Sequence, residues 1–99
     1  MTDRPLAVAD VQIDNDRVRV TEWRFAPGAA TGHHRHEFDY VVLPMTTGSL
    51  TLREDGGDRV AAITSGQAYF REAGVEHDVV NETDEVIVFI EIELKAPQP

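Results

Sequence analysis

Ninety-nine residues without a cysteine make one modest domain that has neither disulfide staples nor thiolate metal sites. Eighteen acidic residues against nine basic ones set a formal charge of −9, and no basic cluster interrupts the acidic background. A nucleic-acid duplex or an anionic membrane would be repelled by such a chain, so both are excluded as partners.

The first residues, Met1 to Pro5, lack the apolar stretch of a secretory signal. No run approaches the roughly 18 apolar residues that span a bilayer. A cytoplasmic protein with a single domain over residues 1–99 is therefore expected. Leu6 to Ile13 reads as an edge strand open to exchange with a second copy. Arg17 to Phe25 begins with Val18 and Val20 on one face of a pleat, and Tyr40 to Leu43 is a short β-branched run. Leu50 to Arg53 alternates, and Glu54-Asp55-Gly56-Gly57-Asp58 has the turn chemistry of a hairpin tip. Ala68 to Phe70 and Asp78 to Val80 are short strand candidates. The last segment is the clearest. Val86, Val88, Ile90, Ile92 and Leu94 share one face, Glu91 and Glu93 the other, and Ile87 and Phe89 make its first half apolar on both sides. Such a strand calls for cover on its second face, which points to a homodimer. No window carries helical periodicity, so short strands separated by Gly, Pro, Asn and Asp predict an all-β sandwich or barrel. Closure of the barrel also removes open edges.

The four histidines fall in two places: His33, His34 and His36 together, and His77 far along the chain. In an extended segment residues i and i+2 point to one side, so His34 and His36 project together and His33 opposes them. Two neutral imidazoles on one pleat suit a divalent ion such as Zn, Fe, Mn, Ni or Cu. A third ligand from a distant strand would leave positions open for water or substrate. Alone, an H-x-H pair reads equally as a solvated turn or a hydrogen-bonded pair at a barrel mouth.

The surroundings of these residues resemble the cupin superfamily. Its first motif runs G, five residues, H-x-H, three or four residues, E, six residues, G. Here Gly28, His34-Arg35-His36 and Gly48 match it. Its second motif runs G, five residues, P-x-G, two residues, H, three residues, N. Here Gly66, Glu72-Ala73-Gly74, His77 and Asn81 keep every spacing, with Glu72 in place of the proline. The resemblance implies a cupin-type double-stranded β-helix, a jelly-roll barrel, with His34, His36 and His77 as metal ligands. It also implies that the motif glycines are turn residues suited to positive φ and that Asn81 is structural. Counted with four residues after His36, and with six before Gly48, the glutamate position falls on Val41, which binds no metal. Asp39 shares the parity of Val41 and is the substitute ligand expected here, with a turn-capping aspartate as the alternative. Arg24, Arg35, Arg53 and Arg71 are candidate partners for a substrate carboxylate, each with a surface ion pair as its default. A narrower resemblance is to small bacterial cupins connected with β-alanine degradation.

Two functions follow from the resemblance. One is a metal-dependent, dioxygenase-like enzyme acting on a small carboxylate-bearing metabolite. The other is a non-catalytic binding or sensing module whose metal organises a ligand pocket or stabilises the barrel.

Overall fold

Period-two alternation becomes pleated strand along almost every segment that carries it. The computed structural model describes residues 4–95. Its strands are β1 (Val8–Asp14), β2 (Val18–Phe25), β3 (His34–Arg35), β4 (Asp39–Pro44), β5 (Gly48–Glu54), β6 (Gly57–Ile63), β7 (Tyr69–Arg71), β8 (Glu76–Val80) and β9 (Ile87–Leu94). No helix occurs among the described residues, and the strand pairs are antiparallel. The expected hairpin tip joins β5 to β6, where Glu54 pairs with Gly57 and the glycine takes φ 117°.

A five-stranded sheet in the order β1-β2-β9-β4-β7 faces a four-stranded sheet in the order β3-β8-β5-β6. Their inner faces meet in a core of Phe25, Tyr40, Val42, Ile87 and Phe89 from the first sheet and Leu50, Leu52, Ile63 and Val79 from the second. This is the all-β double-stranded β-helix that the sequence led us to expect.

The inward face of each long strand changes character along the barrel axis. On β2 it runs Phe25, Trp23, Thr21, Arg19; on β9 it runs Ile87, Phe89, Glu91, Glu93; on β4 it runs Pro44, Val42, Tyr40. Register aligns these changes, since Thr21 lies beside Glu91, Glu91 beside Val42, and Val42 beside Tyr69. One end of the barrel is therefore a dry apolar plug and the other a polar mouth. The plug supplies the stability, at about 1.5–3 kcal/mol for each large apolar side chain removed from water.

Two sequence expectations change here. Val86 to Leu94 does divide by parity, but the face carrying the glutamates is the one turned into the barrel. The uniformly apolar face looks outward. There Ile13, Val20, Ile92, Val41 and Phe70 form one row across all five strands of the larger sheet. Second, Gly28, Gly66 and Gly74 do take positive φ, but Gly48 does not. Gly48 is needed for space: a Cβ there would stand 2.7 Å from Cδ1 of Ile87, which is itself fixed in the plug.

Candidate metal centre and its cavity

Strand β3 and the residue after it bring His34 and His36 to one side of the chain, as their spacing predicts, and β8 brings the third imidazole. His34 and His77 are direct cross-strand partners. His36 is held from both sides by its own backbone, its N–H donating to Val75 O at 2.9 Å and its carbonyl accepting from Gly74 N at 2.8 Å. The positive φ of Gly74, 95°, makes that return turn accessible. The three rings meet edge to face, with centroids 4.7–5.1 Å apart.

The Nε2 atoms of His34 and His77 each lie 3.1 Å from Nε2 of His36. Nitrogens bound at about 2.0–2.1 Å to a common ion, at angles between 90° and tetrahedral, stand about 2.9–3.4 Å apart. The proton inventory points the same way. Nδ1 of His34 lies 2.9 Å from Gly32 O, which can only accept, so the proton of a neutral His34 sits on Nδ1 and its Nε2 presents a lone pair. Burial, reinforced by the neighbouring imidazoles, holds His36 and His77 down to about 4, and both are neutral at pH 7. A proton on Nε2 of His36 can be donated well to only one of its two nitrogen neighbours, and without that proton its lone pair faces the lone pair of His34. A cation at the common point resolves this. These three side chains form a group that could hold a metal ion.

Asp39 does not join them. It has the parity of Val41, as expected, but that parity faces out: Asp39 lies beside Leu94, and Val41 beside Ile92 and Phe70. Its carboxylate is exposed and accepts the backbone N–H of Ala73 at 2.8 Å, which is the turn-capping alternative. With the shorter, three-residue spacing that the motif allows, the glutamate position falls on Tyr40. Tyr40 is buried, faces inward and stacks its ring on His36 at a centroid distance of 4.0 Å. Burial raises its hydroxyl above the ordinary range, so it stays protonated. His33 points away and lies 3.4 Å from Glu76 at the surface.

The histidines form part of the wall of a cavity of about 290 Å³. Arg19, Trp23, Arg35, Tyr40, Tyr69, Arg71, Glu91 and Glu93 also line it. Of the four candidate arginines, Arg24 and Arg53 pair with surface carboxylates and only Arg35 and Arg71 reach the cavity. Glu91 was missed at the level of sequence. Its burial, with Glu93 adding to the effect, pushes its carboxyl up to about 7. The only signal was the interruption of an apolar run by two glutamates, and such residues are usually assigned to the solvent face.

Comparison with known proteins agrees with this architecture. The sequence profile described as "Cupin domain" matches residues 21–93. The chain is 59% identical over 95 residues to a protein of Pseudomonas aeruginosa called beta-alanine degradation protein BauB, covering 96% of this chain and all of the relative. The crystal structure of a cupin domain from Bordetella pertussis Tohama I superposes with a TM-score of 0.95 at 55% identity, over 97% of this chain and 100% of the other. A Cupin 2 conserved barrel domain protein from Salinispora arenicola is 26% identical with a TM-score of 0.71, covering 97% and 90% of the two chains.

Proposed function

The chain belongs to the cupin domain family, and from that premise we propose that it is a metal-dependent enzyme of dioxygenase type acting on a small carboxylate-bearing metabolite. One observation carries this reading: three imidazole nitrogens converge on the wall of a cavity large enough for a small metabolite. When bound, a divalent ion there supplies Lewis acidity and open coordination positions, and iron adds redox chemistry with dioxygen. The chain's own residues would bind and orient the substrate. Arg71 fits a substrate carboxylate because its guanidinium lies 4.8 Å over the Tyr69 ring without a carboxylate partner among the described residues. Tyr40, kept protonated, offers a hydrogen-bond donor beside the imidazoles.

The test is reconstitution with Fe(II), followed by oxygen uptake on addition of short carboxylates. The name of the Pseudomonas relative directs the panel toward β-alanine and the carboxylates of its degradation. Substrate-dependent oxygen uptake is the expected outcome. Stoichiometric metal and ligand binding without any uptake would overturn it in favour of the binding module. That second reading draws support from Tyr40, which stands where a carboxylate ligand would complete the site. A reducing cytoplasm suits a chain that has no cysteine. No helix among the described residues is long and apolar enough to cross a membrane.

We also propose that the outward apolar row is covered by a second copy of the chain. Ile13, Phe70 and Leu94 are 40–51% exposed on this face, and every residue of β1 is exposed. An apolar row spanning five strands is more than a monomer leaves open without a reason. Changing Ile92, the centre of the row, to Lys is expected to halve the mass measured by light scattering. A monomeric wild-type protein would refute the assembly.

A further inference from the structure

The two glutamates that β9 turns into the mouth are treated differently. Glu93 lies 3.6 Å from the guanidinium of Arg19. Glu91, one layer deeper, is nine-tenths buried and has no ion-pair or hydrogen-bond partner among the described residues. Next to it on β2 the indole Nε1 of Trp23 is also buried and without a hydrogen bond. Buried polar groups in native proteins are nearly always satisfied, and a charge left alone is costly, so each exception calls for an explanation. Both groups line the cavity that holds the three imidazoles.

From this arrangement, and building on the carboxylate-binding reading above, we infer that Glu91 receives the ammonium group of a short amino-carboxylate whose carboxylate lies toward Arg71. Within one cavity Glu91 is a buried carboxylate and Arg71 a guanidinium, neither with an ion-pair partner among the described residues. They stand on β9 and β7, the two neighbours of β4, strands about 9–10 Å apart across the sheet, and they are offset along it by two residues, since Arg71 shares its row with Glu93 and Glu91 shares its row with Tyr69. Side chains reaching inward from those strands leave a gap that suits a zwitterion with a few carbons between its charges. Arg19 is already taken by Glu93, which leaves Glu91 free to accept a cation from the ligand. The nearby Trp23 indole N–H favours the ionised form of Glu91. Burial holds the Glu91 carboxyl up at about 7, so a bound ammonium, which favours the carboxylate, draws a proton off it at pH values around and below that point. The other titratable or charged groups of the cavity are Arg19, Tyr40, Tyr69, Arg71 and Glu93 around Glu91, with Arg35, Glu37 and the three imidazoles; among them Arg19 favours the ionised carboxylate and Glu93 opposes it.

Calorimetric titration of the metal-loaded full chain with β-alanine, propanoate and propylamine tests the inference. These probes carry both charges, the anion alone and the cation alone. The wild-type protein should bind β-alanine at least about tenfold more tightly than propanoate. Glu91→Gln should lower β-alanine affinity by about 10–100-fold, the range for a lost hydrogen bond to a charged group, and leave propanoate unchanged. Proton release in buffers of different ionisation enthalpy should accompany β-alanine binding to the wild type at pH 6.5 and vanish in the variant. Equal affinities of the wild type for β-alanine and propanoate, binding of none of the three probes, or undiminished β-alanine binding by Glu91→Gln would each overturn the assignment. Metal content measured on the same samples separates this from failure of the centre. If no metal is retained, the proposed enzyme function fails, while the contrast between propylamine binding by wild type and by Glu91→Gln still reports on Glu91.

Discussion

Substitution of His77 by Ala is expected to lower metal affinity by at least about 100-fold, because changes that only disturb the groups supporting a ligand already cost 10–100-fold. The imidazole of His77 comes from β8, while His34 and His36 come from β3 and the turn after it. Its loss leaves two nitrogens on one short segment and nothing opposite them. A metal bound to the folded state alone, at one hundred times its dissociation constant, stabilises by about 2.7 kcal/mol. In a domain of this size that corresponds to about 10–20 °C in Tm. Addition of a chelator to the metal-loaded wild-type protein should therefore lower its Tm by that amount. His77→Ala should show no response to chelator while keeping the far-UV spectrum of a β protein. Stoichiometric metal in the variant at wild-type affinity would remove His77 from the centre.

Asn81→Ala should be the most damaging single change outside the site, at about 3 kcal/mol or more, since each buried group left without a partner costs about 1–3 kcal/mol. Asn81 is fully buried at the end of β8. Its amide donates to Phe25 O at 3.2 Å, Ala26 O at 3.3 Å and Glu85 O at 2.7 Å. Its side-chain oxygen accepts from the N–H of Thr83 at 3.0 Å and from the Thr83 hydroxyl at 2.7 Å. Its backbone joins the same knot, donating to Ala29 O and accepting from Gly28 N, each at 2.8 Å. One side chain thus ties the end of β2 to the connection between β8 and β9, and it anchors the loop that leads into the histidine pair. A loss of about 12–24 °C in Tm follows for a domain of this size. Asn81→Asp should be at least as harmful, because it turns a donor facing three carbonyls into an acceptor. Calorimetric melting of the two variants checks both statements. A stable Asp variant would show that the amide is not needed as a donor.

How much of this could be read without coordinates differs from residue to residue. His34, His36 and His77 were legible because a pleat has period two and because the spacing around His77 and Asn81 matches a known motif position by position. Asn81 as a structural residue was legible for the same reason. Asp39 was misjudged although its parity was right, and Val41 stood where Tyr40 belongs because the two allowed motif spacings differ by one residue. A shift of one residue in a strand exchanges its faces, so a single-residue ambiguity becomes an error of side. Glu91 failed in the opposite way. The glutamate face of the last strand was read as a second face to be covered by a partner, whereas β9 turns that face into the barrel and its apolar face outward.

Local alternation along the chain determined by itself that these segments would be strands, which side chains would share a face, and that two imidazoles would project together. It did not determine which face would be inside. That choice depends on what lies across the barrel: closure turned Tyr40 and Glu91 inward toward the second sheet and turned Asp39 and the isoleucine row outward. The reason is physical. Side-chain period is a property of a single strand, whereas inside and outside exist only once two sheets have packed against each other.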